Sequence, residues 1–357
     1  MTFLINYLYS IVYTYCLGDS YSRHKLTPFA LLLLLSPIFI LWLLICGGQY
    51  YVGTDYPSYF QIFEGYDLDS YLRKHEYLFV GIIVLCNKFG IHGQALFYIF
   101  YAINFLFLFL IIKRIPIRYI FIFILLYITV TNLFNNQLNT LRQATAIYIG
   151  TYAVLLTLDN NNFKAFVFII IASLIHQSAL ILILVLLFKR ILLTLSYRGL
   201  SIFLLVATAM SFILHPNVLN FLLPFLPEDY AWYIERGTLV GQSFISRLTK
   251  YIFIPIYLLA WNYFKRHDLP EQDDILFKFG WVAFCLRLSL INIPIVSRIT
   301  DYALILSILP LYLYLSHIMK EKHMFLFVSI LFLLSLFYCL KVTHFATGEY
   351  LYNSIYF

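Results

Sequence analysis

Long apolar runs separated by short polar breaks dominate the sequence. They lie at 3–16, 27–46, 76–90, 92–112, 118–133, 142–158, 164–188, 199–214, 248–264, 275–293, 299–318 and 323–340. A helix needs about 20 apolar residues to cross the hydrocarbon core of a bilayer, and several of the runs approach this length. The pattern predicts an all-α, polytopic integral membrane protein with about 10 to 12 transmembrane or re-entrant helices.

The composition supports this class. Of the 357 residues, 62% are hydrophobic and only 11% are charged, whereas soluble globular proteins carry about 25% charged residues. Because so many spans leave only short loops, we expect a single integral membrane domain over residues 1–357. No room remains for a separate soluble catalytic domain.

The formal net charge of +7 is explained by membrane topology, and we expect no nucleic-acid partner. Basic residues cluster between the apolar runs, as at Lys113 and Arg114. Such clusters mark the cytoplasmic side of a membrane protein.

Two apolar runs conflict with a scheme of one crossing per run. The run 164–188 is bounded by Lys164 and Lys189, so both of its ends are expected in the cytoplasm, and the run 76–90 is short for a span. A hairpin or broken helix with His176 near its tip would resolve the conflict. Ordinary crossings with a local failure of the charge rule explain the pattern equally well.

If the two runs are re-entrant, the outer face of the membrane receives the corner 134–142, the tip near His176, the corner 294–298 and two longer polar loops. One is the loop 47–75, which carries the sequence Gly-Thr-Asp-Tyr. The other is the loop 215–247, which contains Arg236 and Arg247. This second loop is either a lid over a cavity or an amphipathic segment in the membrane interface.

The first of these segments combines carboxylates with tyrosines. Its acidic residues, together with the one that follows it, are Asp55, Glu64, Asp67, Asp69 and Glu76. Aromatic rings stack on sugar faces, and carboxylates accept hydrogen bonds or protons from hydroxyls. A solvated loop with an interfacial aromatic belt is the competing interpretation. The Asp-x-Asp spacing is a weak metal signal, so we expect no metal and no cofactor.

Charged and polar residues inside or beside apolar runs are the other candidates. Arg142 and Gln143 follow a polar turn, and the planar guanidinium suits phosphate, although a snorkelling anchor is equally compatible. His176 is either a core histidine or, at a tip that faces water, a proton carrier or phosphate ligand. Arg287 lies within a span, where a charge needs a partner or an aqueous cavity. Arg298 is a further candidate, with a helical salt bridge to Asp301 as the alternative.

Several arginines, a histidine and an aspartate on one face suit a substrate that has both a diphosphate and hydroxyls. A lipid-diphosphate sugar has this chemistry. Arginines would hold the phosphates, and a carboxylate or imidazole would take a proton from the attacking hydroxyl.

At this point the chain resembles the EpsG family of bacterial polysaccharide polymerases, which is related in role to the Wzy O-antigen polymerases. The likeness covers most of the length. It rests on Gly53-Thr54-Asp55-Tyr56 with Tyr59, on Asn139-Thr140-Leu141-Arg142-Gln143, on Ser173-Leu174-Ile175-His176-Gln177-Ser178-Ala179-Leu180, and on Arg298 followed by Tyr302. One departure is Glu76-Tyr77-Leu78-Phe79, where the family commonly has a proline after the glutamate.

The resemblance implies polymerisation of undecaprenyl-diphosphate-linked oligosaccharide repeats, as in O-antigen or exopolysaccharide synthesis, by a GT-C-like glycosyltransferase fold. The site would face the periplasm or cell exterior from the bacterial cytoplasmic (inner) membrane. By position, the catalytic candidates are Asp55, Arg142, His176 and Arg298. The substrate-binding candidates are Tyr56, Tyr59, Gln143, Arg236, Arg247 and Arg287. A chain-length regulator and a flippase are the partners that the resemblance implies.

Two functions of other classes remain as alternatives. A transporter or flippase of lipid-linked sugars would need charges along a path through the membrane and internal repeats, but only Arg287 lies deep within a predicted span. A membrane O-acyltransferase would use His176, but it would not need several outer arginines.

Overall fold

The computed structural model describes residues 1–214, 251–292 and 298–356, and the regular structure in these ranges is helical. The α-helices are α1 Thr2–Tyr21, α2 Pro28–Gly47, α3 Tyr56–Phe63, α4 Leu68–Arg73, α5 Tyr77–Lys88, α6 Gln94–Ile112, α7 Ile120–Leu126, α8 Leu133–Asn136, α9 Leu141–Leu158, α10 Asn162–Ile175, α11 Ile183–Leu193, α12 Tyr197–Ile213, α13 Ile254–Phe264, α14 Glu271–Ser289, α15 Leu304–Ser307, α16 Leu309–Lys320 and α17 Met324–Thr343. Short 3₁₀-helices lie at Ile117–Tyr119, Gln177–Leu182, Asp301–Ala303 and Gly348–Tyr350, and a π-helix at Tyr127–Thr131. The predicted all-α class is confirmed.

Four helical stretches in the described ranges are long and apolar enough to cross a membrane. They are α2, α6, the stretch Arg298–Lys320 and α17. Shorter apolar helices include α5, α10 and α12. The protein is therefore a polytopic membrane protein, and the expected total of about 10 to 12 membrane helices stays a prediction.

The run 164–188 is a broken helix. Helix α10 ends at Ile175, His176 has an extended backbone (φ −150°, ψ 112°), and the chain continues as the 3₁₀-helix Gln177–Leu182 before α11. The break lies at the residue that the sequence analysis places near the tip of this run. Irregular backbone at membrane depth is tolerated where it faces protein or a watery cavity.

The chain packs as two compact units. The first comprises Met1–Leu186 and Leu315–Phe357, and the second comprises Leu187–Tyr314. The expectation of a single integral domain stays a prediction.

Helix α9 occupies the centre of the first unit. It contacts α6 and α10, and nearly all of its residues are buried, on every face of the helix. Because its residues are buried on every face, neighbouring segments enclose the helix on all sides. Its first turn, which carries Arg142, is therefore fixed by the packing of the whole helix.

The turn before α9 is held by a buried polar network around Gln137. The side-chain oxygen of Gln137 accepts hydrogen bonds from the amide of Asn104 (3.3 Å) and the hydroxyl of Tyr148 (3.2 Å). Its backbone carbonyl accepts one from Tyr101 (3.1 Å), and its amide nitrogen donates to the Phe134 carbonyl (3.2 Å). Because each of these groups would be costly to bury unpaired, the network fixes the turn.

The loop 47–75 contains α3 and α4 and is anchored on the same turn. The side-chain oxygen of Asn139 accepts hydrogen bonds from the backbone N–H of Asp55 (2.9 Å) and the hydroxyl of Thr54 (3.3 Å). Gly53 approaches Asn139 closely with a left-handed φ of +75°. The C-terminal segment also pairs with this loop, since Tyr50 donates its N–H to the Asn353 carbonyl (3.0 Å).

In the second unit, α12 packs against α14. The indole of Trp281 donates to the Leu200 carbonyl (2.9 Å). Farther along α14, Arg287 donates to the hydroxyl of Ser307 (3.0 Å), and Tyr257 donates to the Ser307 carbonyl (2.6 Å). The charge that the sequence places within this run therefore has a polar partner.

We predict that Gln137→Ala lowers the stability of the first unit by about 1–3 kcal/mol, because it removes the acceptor of the buried Asn104 amide and one of the two hydrogen-bond partners of the Tyr148 hydroxyl. Thermal unfolding in detergent measures the effect. Gln61→Ala is the matched control, since Gln61 is exposed. Equal unfolding midpoints for the two variants would contradict a structural role of the network.

We predict that Gly53→Ala destabilises the loop 47–75 more than Gly90→Ala does. Both glycines have a similar φ (+75° and +74°), so both substitutions carry backbone strain of about 1–2 kcal/mol. Only at Gly53 does an added Cβ collide with a neighbour, lying 2.5 Å from the Asn139 side-chain oxygen, whereas Gly90 has open space. Thermal unfolding in detergent compares the two, and equal losses would show that the Asn139 contact does not hold the loop.

Candidate functional site

Three ionisable side chains of the first unit meet at one place. The carboxylate of Glu76 forms an ion pair with the Nη1 of Arg142 through one oxygen. Its other oxygen lies 2.8 Å from Nδ1 of His176. The Glu76 side chain is only 2% exposed, against 18% for Arg142 and 26% for His176. We call Glu76, Arg142 and His176 the Glu76 cluster.

Each member of the Glu76 cluster lies at the end of a helix. Glu76 directly precedes α5, Arg142 is the second residue of α9, and His176 directly follows α10. Because α10 contacts both α5 and α9, the three helix ends are brought together. The break places His176 at the end of α10. In an uninterrupted helix, His176 would instead lie within the helix and not at the end where the three residues meet.

Aromatic rings surround the guanidinium of Arg142. Its central carbon lies 4.4 Å from the ring centre of Tyr71, 5.4 Å from that of Phe79 and 5.9 Å from that of Tyr59. The hydroxyl of Tyr59 also accepts the backbone N–H of Arg142 (3.4 Å). The side-chain Nε of Arg142 is buried, and no hydrogen-bond partner for it lies among the described residues. Cation–π contacts and the ion pair thus hold the guanidinium in a fixed orientation.

Two opposing effects set the protonation state of Glu76. Burial raises the pKa of its carboxyl group. The hydrogen bond with His176 and the positive charge of Arg142 lower the pKa by more than burial raises it, so the net pKa lies below the usual value. Glu76 is therefore an anion at neutral pH. Removal of either partner of a buried ion pair leaves an uncompensated charge, at a cost of about 3–5 kcal/mol.

Asp55 stands at the start of α3, and the structure gives it other neighbours. Its carboxylate accepts a hydrogen bond from the Thr54 hydroxyl (3.1 Å). Burial raises the pKa of Glu349 in the C-terminal segment, and the negative charge of nearby Asp55 adds to the rise. One turn beyond Asp55, Tyr59 reaches Arg142. Helix α3 thus connects Asp55 with the Glu76 cluster.

The remaining substrate-binding candidates of the first unit are buried. Tyr56 is 2% exposed, stacks on Phe97 at 5.1 Å, and donates its hydroxyl to Gln94 (2.7 Å). Gln143 is 7% exposed. The contacts of Tyr56 give it a role in packing, and direct contact of either residue with substrate stays a prediction.

The other arginines that the sequence analysis selects as site candidates do not lie in the described part of the first unit. Arg298 is an exposed residue of the second unit, and Arg287 is a half-buried residue of the same unit. Arg236 and Arg247, and with them the predicted lid 215–247, lie outside the described residues. Their assignment to a substrate site stays a prediction.

The Asp67 and Asp69 pair forms no metal centre in the part of the chain that the structure describes. Within residues 1–214, 251–292 and 298–356, no group of three or more histidine, cysteine, aspartate or glutamate side chains is placed to hold a metal ion. One Asp67 side-chain oxygen accepts a hydrogen bond from Ser70 (3.0 Å).

Sequence reasoning singled out Arg142 and His176 but did not select Glu76 as a site residue. The available signal was the position of Glu76 at the start of the apolar run 76–90, where the resembling family also has a glutamate. A buried carboxylate at this position needs a cation, and Arg142 lies at the start of the run 142–158. The pairing itself spans 66 residues to Arg142 and 100 residues to His176, so no local pattern reveals it.

The Glu76 cluster combines an anion, a permanent cation and an imidazole. Such a set can bind a negatively charged group and can transfer a proton to or from a hydroxyl. Both properties suit a reaction at a phosphate-linked sugar.

Comparison with known proteins identifies the family to which the chain belongs. No curated protein and no solved structure matches the chain. The model of the EpsG family matches residues 31–355, a range that includes every residue of the Glu76 cluster. Since this match covers nearly the whole sequence, the chain belongs to the EpsG family, a family of polysaccharide polymerases.

Proposed function

We propose that this protein polymerises undecaprenyl-diphosphate-linked oligosaccharide repeat units at the outer face of the cytoplasmic membrane. The observation that carries the proposal is the match to a polysaccharide polymerase family over residues 31–355. The Glu76 cluster supports it, because a cation and an imidazole lie together with partial exposure to the surroundings. We also propose a GT-C-like relationship for its membrane helices.

The proposed reaction is a glycosyl transfer between two lipid-linked substrates. A hydroxyl of the incoming repeat unit attacks the anomeric carbon of the growing chain. The bond from that carbon to the lipid diphosphate breaks, and the electron pair leaves with the diphosphate oxygen. Because the lipid diphosphate supplies the leaving group, the reaction needs no nucleotide.

Arginines would act on the leaving group. Arg142 supplies a fixed positive charge that water does not screen fully, since its side chain is only 18% exposed. Such a charge stabilises the negative charge that develops on the departing diphosphate. For Arg298 we propose direct binding of the diphosphate, on the basis of its exposure and its place in the resembling Arg-x-x-x-Tyr segment.

The attacking hydroxyl needs a proton acceptor, and the two candidates are Asp55 and His176. His176 lies in the Glu76 cluster beside Arg142. Asp55 lies at the start of α3, within the aromatic loop 47–75. A chain-length regulator and a flippase are the partners that we propose from the family alone.

The test is reconstitution of purified protein in liposomes with the lipid-linked repeat unit from its own source. We expect a ladder of polymer lengths without ATP, nucleotide sugar or added metal. His176→Ala and Arg298→Ala should each reduce the initial rate by about 100-fold or more, since each removes a group needed in the transition state. Arg73→Ala is the matched control for arginine loss, because Arg73 is an exposed residue of the loop 47–75.

A folded wild-type protein that forms no ladder from authentic substrate would contradict the polymerase proposal and favour transport of the lipid-linked sugar. Full activity of both variants would leave the polymerase intact and refute the two residue assignments. Transfer that depends on an acyl donor would identify an O-acyltransferase instead.

A further inference from the structure

Glu76 is the least exposed member of its cluster, and its two carboxylate oxygens are both occupied. One oxygen faces Arg142 and the other faces His176. At 2% exposure the carboxylate has no free side from which to contact a substrate. Any effect of Glu76 on a reaction must therefore pass through Arg142 or His176.

The geometry determines which nitrogen of His176 carries a proton. An ionised carboxylate only accepts hydrogen bonds, so the Nδ1 at 2.8 Å must be the donor. Arg142 only donates, and its ion pair keeps Glu76 in the ionised form. In the neutral imidazole, Nδ1 therefore holds the proton and Nε2 has a free lone pair.

We propose that Glu76 is a positioning residue that holds His176 with Nε2 available to the acceptor hydroxyl, which makes His176, rather than Asp55, the general base. This inference rests on the proposed polymerase function. It names a residue that acts through another one and decides between two candidates that the overall reaction leaves open.

The proton transfer is balanced within the cluster. As the hydroxyl oxygen of the incoming repeat bonds to the anomeric carbon, its proton moves to Nε2 of His176. The electron pair of the breaking carbon–oxygen bond leaves on the diphosphate. The resulting imidazolium is stabilised by the Glu76 carboxylate, and it returns the proton to solvent or to the released diphosphate.

The net charge of the Glu76 cluster becomes more positive during this step. With neutral His176, the charges of Glu76 and Arg142 cancel. When His176 takes the proton, the cluster carries one net positive charge. That charge appears at the moment when negative charge develops on the leaving diphosphate, which favours the transition state over the ground state.

The substitution Glu76→Gln tests the inference through the tautomer of His176. Arg142 can only donate, so the amide oxygen of the new glutamine faces Arg142 and its NH₂ group faces Nδ1 of His176. Nδ1 must then accept a hydrogen bond, and the proton of the neutral ring moves to Nε2. The base would lose its lone pair on the reactive side, although the side chain differs by only one atom type.

We expect Glu76→Gln to lower kcat by about 10²- to 10⁴-fold, the usual contribution of general acid–base catalysis. KM should change by less than about threefold, because the effect is confined to the transition state. Glu76→Asp keeps the carboxylate and should retain the wild-type tautomer with an intermediate kcat. Glu271→Gln is the matched control, since it makes the same exchange at an exposed glutamate outside the Glu76 cluster and outside the loop 47–75.

The ¹⁵N spectrum of histidine-labelled protein separates this role from a merely structural one, because it reports which ring nitrogen is protonated. The variant His176→Asn assigns the signal of His176. We expect a protonated Nδ1 in the wild type and a protonated Nε2 in Glu76→Gln. An unchanged tautomer, or wild-type kcat in Glu76→Gln, would overturn the inference. If Glu76→Gln fails to fold, a protonated Nε2 in the neutral ring of the wild type would overturn it as well.

These results are distinguishable from a failure of the proposed function. If wild-type protein forms no polymer, the polymerase proposal fails, and with it the assignment of His176 as the base. The ¹⁵N spectrum of the same sample still tests whether Glu76 holds the Nδ1 proton of His176.

Discussion

The structure of the candidate site depends on the burial of one carboxylate. An isolated anion at the exposure of Glu76 would be unstable, so it requires partners that neutralise it and fill its hydrogen-bonding capacity. Arg142 and His176 supply these partners from two other helix ends. The requirement joins α5, α9 and α10 at their ends and determines where the polar groups of the first unit meet.

The surrounding structure supports this junction from two sides. The buried network of Gln137 holds the turn that leads into α9, and Asn139 in the same turn holds the loop 47–75. Tyr59 and Tyr71 from that loop then cover the guanidinium of Arg142. A polar site at the border of apolar helices is thus built from groups that would each be costly to leave unpaired. This dependence explains why the aromatic loop and the charged residues occur in one region of the first unit.

Much of this architecture could be predicted from the sequence. The apolar runs predict the helical class, because spans and polar breaks are local properties of a chain. The basic residues at both ends of the run 164–188 left a broken helix and an ordinary crossing as equal alternatives, and the structure has a break at His176. Arg142 could be selected as a site candidate from the sequence, because a charge in or beside a membrane-spanning run is energetically costly and usually has a functional role.

Other features depend on contacts that no local pattern contains. The partnership of Glu76 joins residues 66 and 100 positions away. The apolar run 3–16 is shorter than α1, which continues to Tyr21 through polar residues, and Gly18 in this extension packs closely against the backbone of Arg118. Helices α3 and α4 lie in a segment that the sequence predicts as a loop. Short helices are not stable alone and form only by packing against their neighbours, which the local sequence does not show.

The most direct test of this account is whether Glu76 and His176 act as one unit in the reaction. The measurement is the initial polymerisation rate of Glu76→Gln, His176→Ala and the double variant in the same liposomes. If Glu76 acts only through His176, the double variant should be no slower than His176→Ala, within about threefold. Rate losses that multiply in the double variant would show that the two residues act independently, and this result would contradict the account.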